Sequence, residues 1–469
     1  MSAARIEMKT ERRIRPLLIV EGANPALTSA SLVGWSCVKA IAAVSDAHIV
    51  THWRNRDDFV AAGLVEGEDF TAIDTRRAQT LAWQATKLLS PRDAFSWSLY
   101  AIFSNLVYPS FERAVWREFK TRLQAGEFDL VHRILPLSPT TPSSLAVRLK
   151  RIGVPFVLGP LNGGVPWPKG FDEVRRAEKD GAGRLRGLYR LLPGTRPTRE
   201  AASAIIAGSR TTARELAPHL REKCIHLPEN AIDTTRFALA PKPTRESGPL
   251  RIAFVGRFVA LKGLDMLIEA AAPLIREGRL ELDLIGDGPE RGRLEALLGL
   301  EGIADLVPLT GWIDHGVLQP RLRRADALAF PSIREFGGGA VLEAMALGVP
   351  PLVLDHGGPP ELVPPGTGHV LPLVSRAQII RDLQGLLRSL AADPDSLAGM
   401  GRAAQEHIRK YFTWEAKAAQ ILEIYRWVLG ETTVKPDWGV PLGTKAEAVS
   451  PNITPRPMRP VLCGGARLF

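Results

Sequence analysis

Two glutamates around a run of glycines carry the clearest chemical potential in this 469-residue chain. Glu335 stands just before Gly337, Gly338 and Gly339, and Glu343 lies in the apolar stretch 340–347 that follows them. Three glycines ahead of a helix let backbone N–H groups approach a ligand with no side chain in the way. The helix start adds unpaired N–H groups and partial positive charge, which suits a phosphate. Glu335 is placed to meet whatever rests on the glycines. Glu343, among Val341, Leu342, Ala344 and Met345, would be costly to bury unless it accepted hydrogen bonds. A diol such as a ribose 2′,3′-hydroxyl pair would supply two. The alternative is that Glu335 is a solvated loop residue and Glu343 a helix former facing water.

The elements that hold these residues are a strand at 327–330, stopped by Pro331, and a helix that Gly348 and Pro350 end. Short apolar runs predict further strands at 15–21, 47–52, 128–134, 154–158, 204–208 and 224–227. A helix is expected at 35–43. After a proline-rich, polar linker at 238–249 a second set begins, with strands at 251–255, 281–285, 306–309, 327–330 and 351–354. Strands alternating with helical patterns predict parallel α/β sheets. Residues 431–469, rich in proline and without periodicity, read as a disordered or loosely draped tail.

Composition narrows the class. The chain is long enough for two domains, and 45% hydrophobic with 23% charged residues is ordinary for a globular protein. No apolar run reaches the length of a membrane span or a signal peptide, so cytoplasmic residence is expected. Cys37, Cys224 and Cys463 lie far apart without metal spacing and read as free thiols. A net charge of +10 fits phosphorylated substrates or an anionic membrane. Nucleic-acid motifs are absent. Segments 75–125 and 169–199 interleave aromatic and basic residues. Most of these aromatics are expected to form a helix core with a solvated basic face, and a membrane-surface role is the alternative.

The spacing of Glu335 and Glu343 resembles the E-x7-E signature of retaining glycosyltransferases, and LEAMALG around Glu343 resembles glycosyltransferase family 4. Further pieces match in order. They are PENAIDTTRF at 228–237 (with Ala231 where glycine is usual), VGRF at 255–258 with LKGLDMLIEA at 261–270, LIGDGPE at 284–290, GGPPELV at 357–363 and YFTWEAKA at 411–418. The resemblance is dense from about residue 204 to 429. It implies the GT-B fold, two doubly wound Rossmann-like α/β domains facing a cleft. The expected division is 1–237 for the acceptor domain, 238–412 for the nucleotide-sugar donor domain, 413–429 for a helix crossing back to the first domain, and 430–469 for the tail. It also implies transfer of a hexosyl group from a nucleotide sugar to a glycan or lipid-linked acceptor, in bacterial cell-surface polysaccharide biosynthesis. Glu335 would hold the donor sugar's hydroxyls and steady developing positive charge, and Glu343 would bind the ribose. Arg257 and Lys262, a fork of donors and a point charge beside glycines, would carry the departing diphosphate, so neither a metal nor a cofactor is expected. A lipid-linked acceptor would bring the chain to the inner face of the cytoplasmic membrane.

In the first half, the resemblance puts a histidine near His132, read as ending a strand and donating to a substrate hydroxyl. Asn162, Gly163, Gly164 and Trp167 form a glycine–aromatic loop at a strand end, a place suited to an acceptor. GDGPERG at 286–292 is not a dinucleotide fingerprint, because Arg291 stands where the third glycine belongs. Gly286 and Gly288 are expected to make a tight turn, with Pro289 opening a helix. Asp393 and Asp395 have the spacing of a metal-binding D-x-D pair but read as a helix cap. Two other readings of the same fold are a non-catalytic sugar-nucleotide-binding scaffold and a nucleotide-sugar epimerase.

Overall fold

A computed structural model describes residues 12–76, 80, 84, 97–178, 194–237 and 239–438. Parts of the basic–aromatic segments, 77–79, 81–83, 85–96 and 179–193, with Trp83 and Phe95 among them, and the tail from 439 onward lie outside these residues.

The first sheet has seven strands: β1 Pro16–Val20, β2 His48–His52, β3 Phe70–Ile73, β4 Leu130–Leu135, β5 Phe156–Leu161, β6 Ala204–Ala207 and β7 Cys224–His226. They run in the order β3-β2-β1-β4-β5-β6-β7, and every pairing is parallel. Parallel strands covered on both faces need apolar residues at every position, because successive side chains point to opposite sides. In β1, Leu18 and Val20 enter one core while Leu17 and Ile19 enter the other. Helix Ala30–Val44 covers the first face. The second is covered by Trp97–Gln124 and Ser144–Arg151, which bring Tyr108, Phe111, Phe119, Leu145 and Leu149. The aromatic residues Tyr108, Phe111 and Phe119 are therefore core.

The second sheet has five strands: β8 Leu250–Val255, β9 Leu280–Ile285, β10 Ala327–Phe330, β11 Pro351–Leu354 and β12 His369–Leu371. Their order is β12-β11-β10-β8-β9, again all parallel. The expected strand at 306–309 is corrected. Leu309 makes a single bridge to Leu284 at the sheet edge, and Leu306 is exposed. The last helix, Trp414–Val428, starts on Thr413, whose hydroxyl accepts from the Ala416 N–H at 3.1 Å. It places Ile421, Ile424 and Tyr425 in the first sheet's core, beside residues of helix Ala30–Val44. Among the described residues no helix is long and apolar enough to cross a membrane.

Candidate active site

In each sheet the strand order reverses at one point, between β1 and β4 in the first and between β8 and β10 in the second. At such a point the loops leaving two adjacent strands diverge and open a crevice at the strands' carboxyl ends. In the second sheet the chain that leaves β8 carries Arg257 and Lys262. The chain that leaves β10 carries Glu335 and the three glycines.

Packing brings those two loops together. A turn at Ala260–Lys262 leads into Gly263, which has φ +69° and starts helix Leu264–Arg276. A side chain at Gly263 would meet the Pro331 carbonyl at 2.4 Å. The Ile333 N–H donates to the Leu261 carbonyl at 2.9 Å. Lys262 thus sits over the Phe330 ring, 4.6 Å from its centroid, and forms an ion pair with Glu335. The Glu335 carbonyl accepts from the Gly358 N–H at 3.1 Å. Gly357 allows that approach, because a Cβ there would lie 2.2 Å from the same oxygen. Arg257 is exposed beside the turn, with no hydrogen bond or ion pair from its guanidinium among the described residues.

The three glycines have three different jobs. Gly337 packs on the linker, where a Cβ would lie 2.2 Å from Asn230 Nδ2 and 2.5 Å from Glu229 Oε1. Gly338 takes φ +64° to start helix Gly339–Ala346. Gly339 alone faces open space, with nothing within 4 Å of an added Cβ. Gly339 and Glu343, one turn apart on that helix, line a cavity of about 560 Å³ with Arg236 and the first-domain residues Thr28, Ser29 and Ser36. Burial raises the Glu343 carboxyl to about 7, against the pull of the nearby Arg236 charge. Lys262 and Glu335 are not among this cavity's walls.

The first-domain loop meets the second domain directly. Asn162 follows β5 and donates to Glu229 Oε1 at 2.6 Å. Gly163 and Gly164 have φ +148° and +79°, and a Cβ on Gly164 would meet the Glu215 carboxylate at 2.8 Å. The Val165 carbonyl accepts from Arg334 Nε at 2.9 Å, and the Arg334 guanidinium lies 4.7 Å from the Trp167 ring centroid. His356 Nε2 donates to the Pro166 carbonyl at 2.9 Å. Arg334, His356 and Glu229 were missed in the sequence. Each had a signal of place alone: Arg334 directly before Glu335, His356 directly before the 357–363 element, and Glu229 inside the 228–237 element.

His132 is corrected. It is the third residue of β4, paired with Leu18 in mid-sheet, and fully buried. Its Nε2 donates to the Gly159 carbonyl at 2.6 Å, so its Nδ1 accepts from the Tyr425 hydroxyl at 2.7 Å. Burial lowers the imidazole to about 4, so it is neutral at physiological pH. With both nitrogens held by the core, His132 joins the final helix to the sheet and does not reach the cleft.

Gly286 and Gly288 make the expected turn, packed so closely on Gly256 and Phe258 that a Cβ on either would strike a carbonyl. The helix after Pro289 opens at Arg291 rather than at the proline. Asp393 and Asp395 lie in the turn between helices Arg376–Ala392 and Ser396–Tyr411; Asp395 takes the N-cap position of the second without a side-chain capping bond. Among the described residues no group of three or more His, Cys, Asp or Glu gathers in a metal-binding arrangement.

Whole-chain similarity agrees with this architecture. Sucrose-phosphate synthase from Thermosynechococcus elongatus superposes with a TM-score of 0.55 at 20% identity, covering 90% of this chain and 100% of that one. Anabaena Alr3699/HepE in complex with UDP and glucose superposes with a TM-score of 0.53 at 16% identity, covering 88% and 99%. The fold is GT-B. Residues 249–389, which hold Arg257, Lys262, Glu335, the glycines and Glu343, match the family model described as Glycosyl transferases group 1. Alpha-D-kanosaminyltransferase of Streptomyces kanamyceticus is 32% identical over 177 residues, 37% of this chain and 45% of that protein. The chain spans about half the length of the curated relatives it matches, and those relatives are named glycosyltransferases.

Proposed function

We propose that this chain is a retaining glycosyltransferase of family 4. It moves a hexosyl group from a nucleotide sugar to a hydroxyl on a glycan or lipid-linked acceptor, in bacterial cell-surface polysaccharide biosynthesis. The observation that carries this reading is the Lys262–Glu335 pair at the strand-order reversal, with exposed Arg257 beside it. Arg257, Lys262 and the N–H groups at the start of helix Gly339–Ala346 take the charge of the departing diphosphate, without a metal. Glu335 holds the donor sugar's hydroxyls and steadies the positive charge that develops as the glycosidic bond breaks. Glu343 takes the ribose diol, and the loop with Asn162, Gly163, Gly164 and Trp167 borders the acceptor. The leaving phosphate takes the acceptor's proton on the face from which the acceptor attacks, so the anomeric configuration is kept.

The test is a panel of nucleotide sugars with the purified chain, scored for nucleoside diphosphate release with and without glycan acceptors and in excess chelator. Release that depends on acceptor and survives chelation is expected. Binding without release identifies a scaffold, and a changed free donor identifies an epimerase. A peripheral place on the inner face of the cytoplasmic membrane is part of this proposal. Its test is sedimentation with phosphatidylglycerol vesicles, where binding at low salt and release at high salt are expected. Protein that stays in the supernatant refutes it.

A further inference from the structure

Glu229 lies in the linker between the two sheets, between β7 and β8, and is 8% exposed. It touches both halves of the cleft. Oε1 accepts from Asn162 Nδ2 at 2.6 Å, at the start of the first-domain loop. The same oxygen lies where a Cβ on Gly337 would come within 2.5 Å, at the start of the second-domain glycine loop. Oε2 fits against Gly208, directly after β6, where an added Cβ would lie 2.5 Å away. Oε2 is buried and has no hydrogen-bond partner among the described residues. A buried carboxylate with an unpaired oxygen is costly in a position that only supports packing. Asn230 Nδ2, the next residue's side chain, closes over Gly337 from the same side.

We propose that Glu229 is a positioning residue for glycosyl transfer. It sets the register of the 162–164 loop against the 337–339 loop, so that the two halves of the site meet at a fixed spacing. The proposal rests on the glycosyltransferase reading above. From the linker, the Glu229 side chain reaches the start of each loop, Asn162 on one side and Gly337 on the other. Glycine at 208 and 337 lets the carboxylate approach each domain's backbone. Burial raises the Glu229 carboxyl against the pull of its own backbone N–H, Asn162 and Lys417, and glutamine keeps the side chain's length and an oxygen to accept from Asn162.

The experiment compares the full chain with E229A, E229Q and N162A. The probes are calorimetric binding of UDP, GDP and ADP, and turnover of the nucleotide sugar that the unaltered chain uses. A misplacement of about 1 Å costs up to about 100-fold in rate. E229A is therefore expected to lose about tenfold or more in kcat, with nucleoside diphosphate Kd held within about threefold. E229Q keeps a carbonyl to accept from Asn162 and recovers most of the rate, and N162A resembles E229A. Melting curves confirm that each variant is folded. Turnover of E229A equal to that of the unaltered chain overturns the proposal. So does a loss that E229Q fails to restore, or a loss of diphosphate binding as large as the loss of rate. An unaltered chain that binds none of the three diphosphates overturns the glycosyltransferase reading itself, a result distinct from these.

Discussion

Replacing Glu343 with glutamine should make the protein more stable and worse at binding nucleotides, in a way that depends on pH. Burial raises the Glu343 carboxyl from its ordinary 4.5 to about 7. A shift of that size means that ionising it in the folded chain costs about 3 kcal/mol more than in the unfolded one. The sign follows directly. Below about pH 4.5 the group is protonated in both states and costs nothing. Between about pH 4.5 and 7 the unfolded chain releases the proton first, so stability falls as pH rises. At pH 8 both states are ionised and the full cost remains. Glutamine removes it while keeping the shape. Each kcal/mol moves the melting temperature of a 150–250-residue domain by about 2–4 °C, so E343Q should melt up to about 6–12 °C higher at pH 8. At pH 4 the two proteins should melt within about 1 °C of each other. Differential scanning fluorimetry across this range checks it. If ionised Glu343 accepts from the ribose diol, the same variant should bind UDP about tenfold or more weakly at pH 8, since hydrogen bonds to a charged group contribute about 1.5–3 kcal/mol. Inorganic pyrophosphate, which has no diol, should bind both proteins alike. A melting difference that is the same at both pH values refutes the burial argument. Equal losses of UDP and pyrophosphate binding refute the ribose assignment.

Glu335→Gln should lower kcat by about tenfold or more while diphosphate binding survives, and steady-state kinetics with unchanged turnover would remove Glu335 from the reacting sugar. Lys262→Ala and Arg257→Ala should each weaken UDP binding and slow transfer together, by about 3 kcal/mol of transition-state stabilisation. Calorimetry that shows unchanged affinity would sink the phosphate assignment. His132→Phe should destabilise the fold by about 2–4 kcal/mol, because it leaves the Gly159 carbonyl and Tyr425 hydroxyl unpaired. The folded fraction should turn over as before, and a selective loss of kcat without a drop in melting temperature would return His132 to the chemistry.

What the sequence disclosed, and what it withheld, divides along a physical line. The loops that carry Arg257, Lys262, Glu335 and the glycines were legible because each follows a strand whose apolar run marks its place in the chain. The same held for β10 and β11, whose bounds match the apolar runs at 327–330 and 351–354. The edge strands β3 and β12 were missed, being four and three residues long and only partly apolar. His132 was misplaced although the expected strand at 128–134 ends within one residue of β4. In the sequence it reads as a strand-end residue, whereas it pairs with Leu18 in mid-sheet and its ring is buried in the core. Glu229 stands in the 228–237 element, but its contacts were hidden for a different reason. Its partners Asn162, Gly208 and Gly337 come from three distant parts of the chain, and no spacing in the linker points to them. The glycines show the limit most clearly. All three looked like openings for a ligand, yet only Gly339 meets open space, while Gly337 is held against the linker. Composition reveals that a side chain is absent at such a position, and only the packed chain reveals whether a ligand or another part of the protein fills the gap.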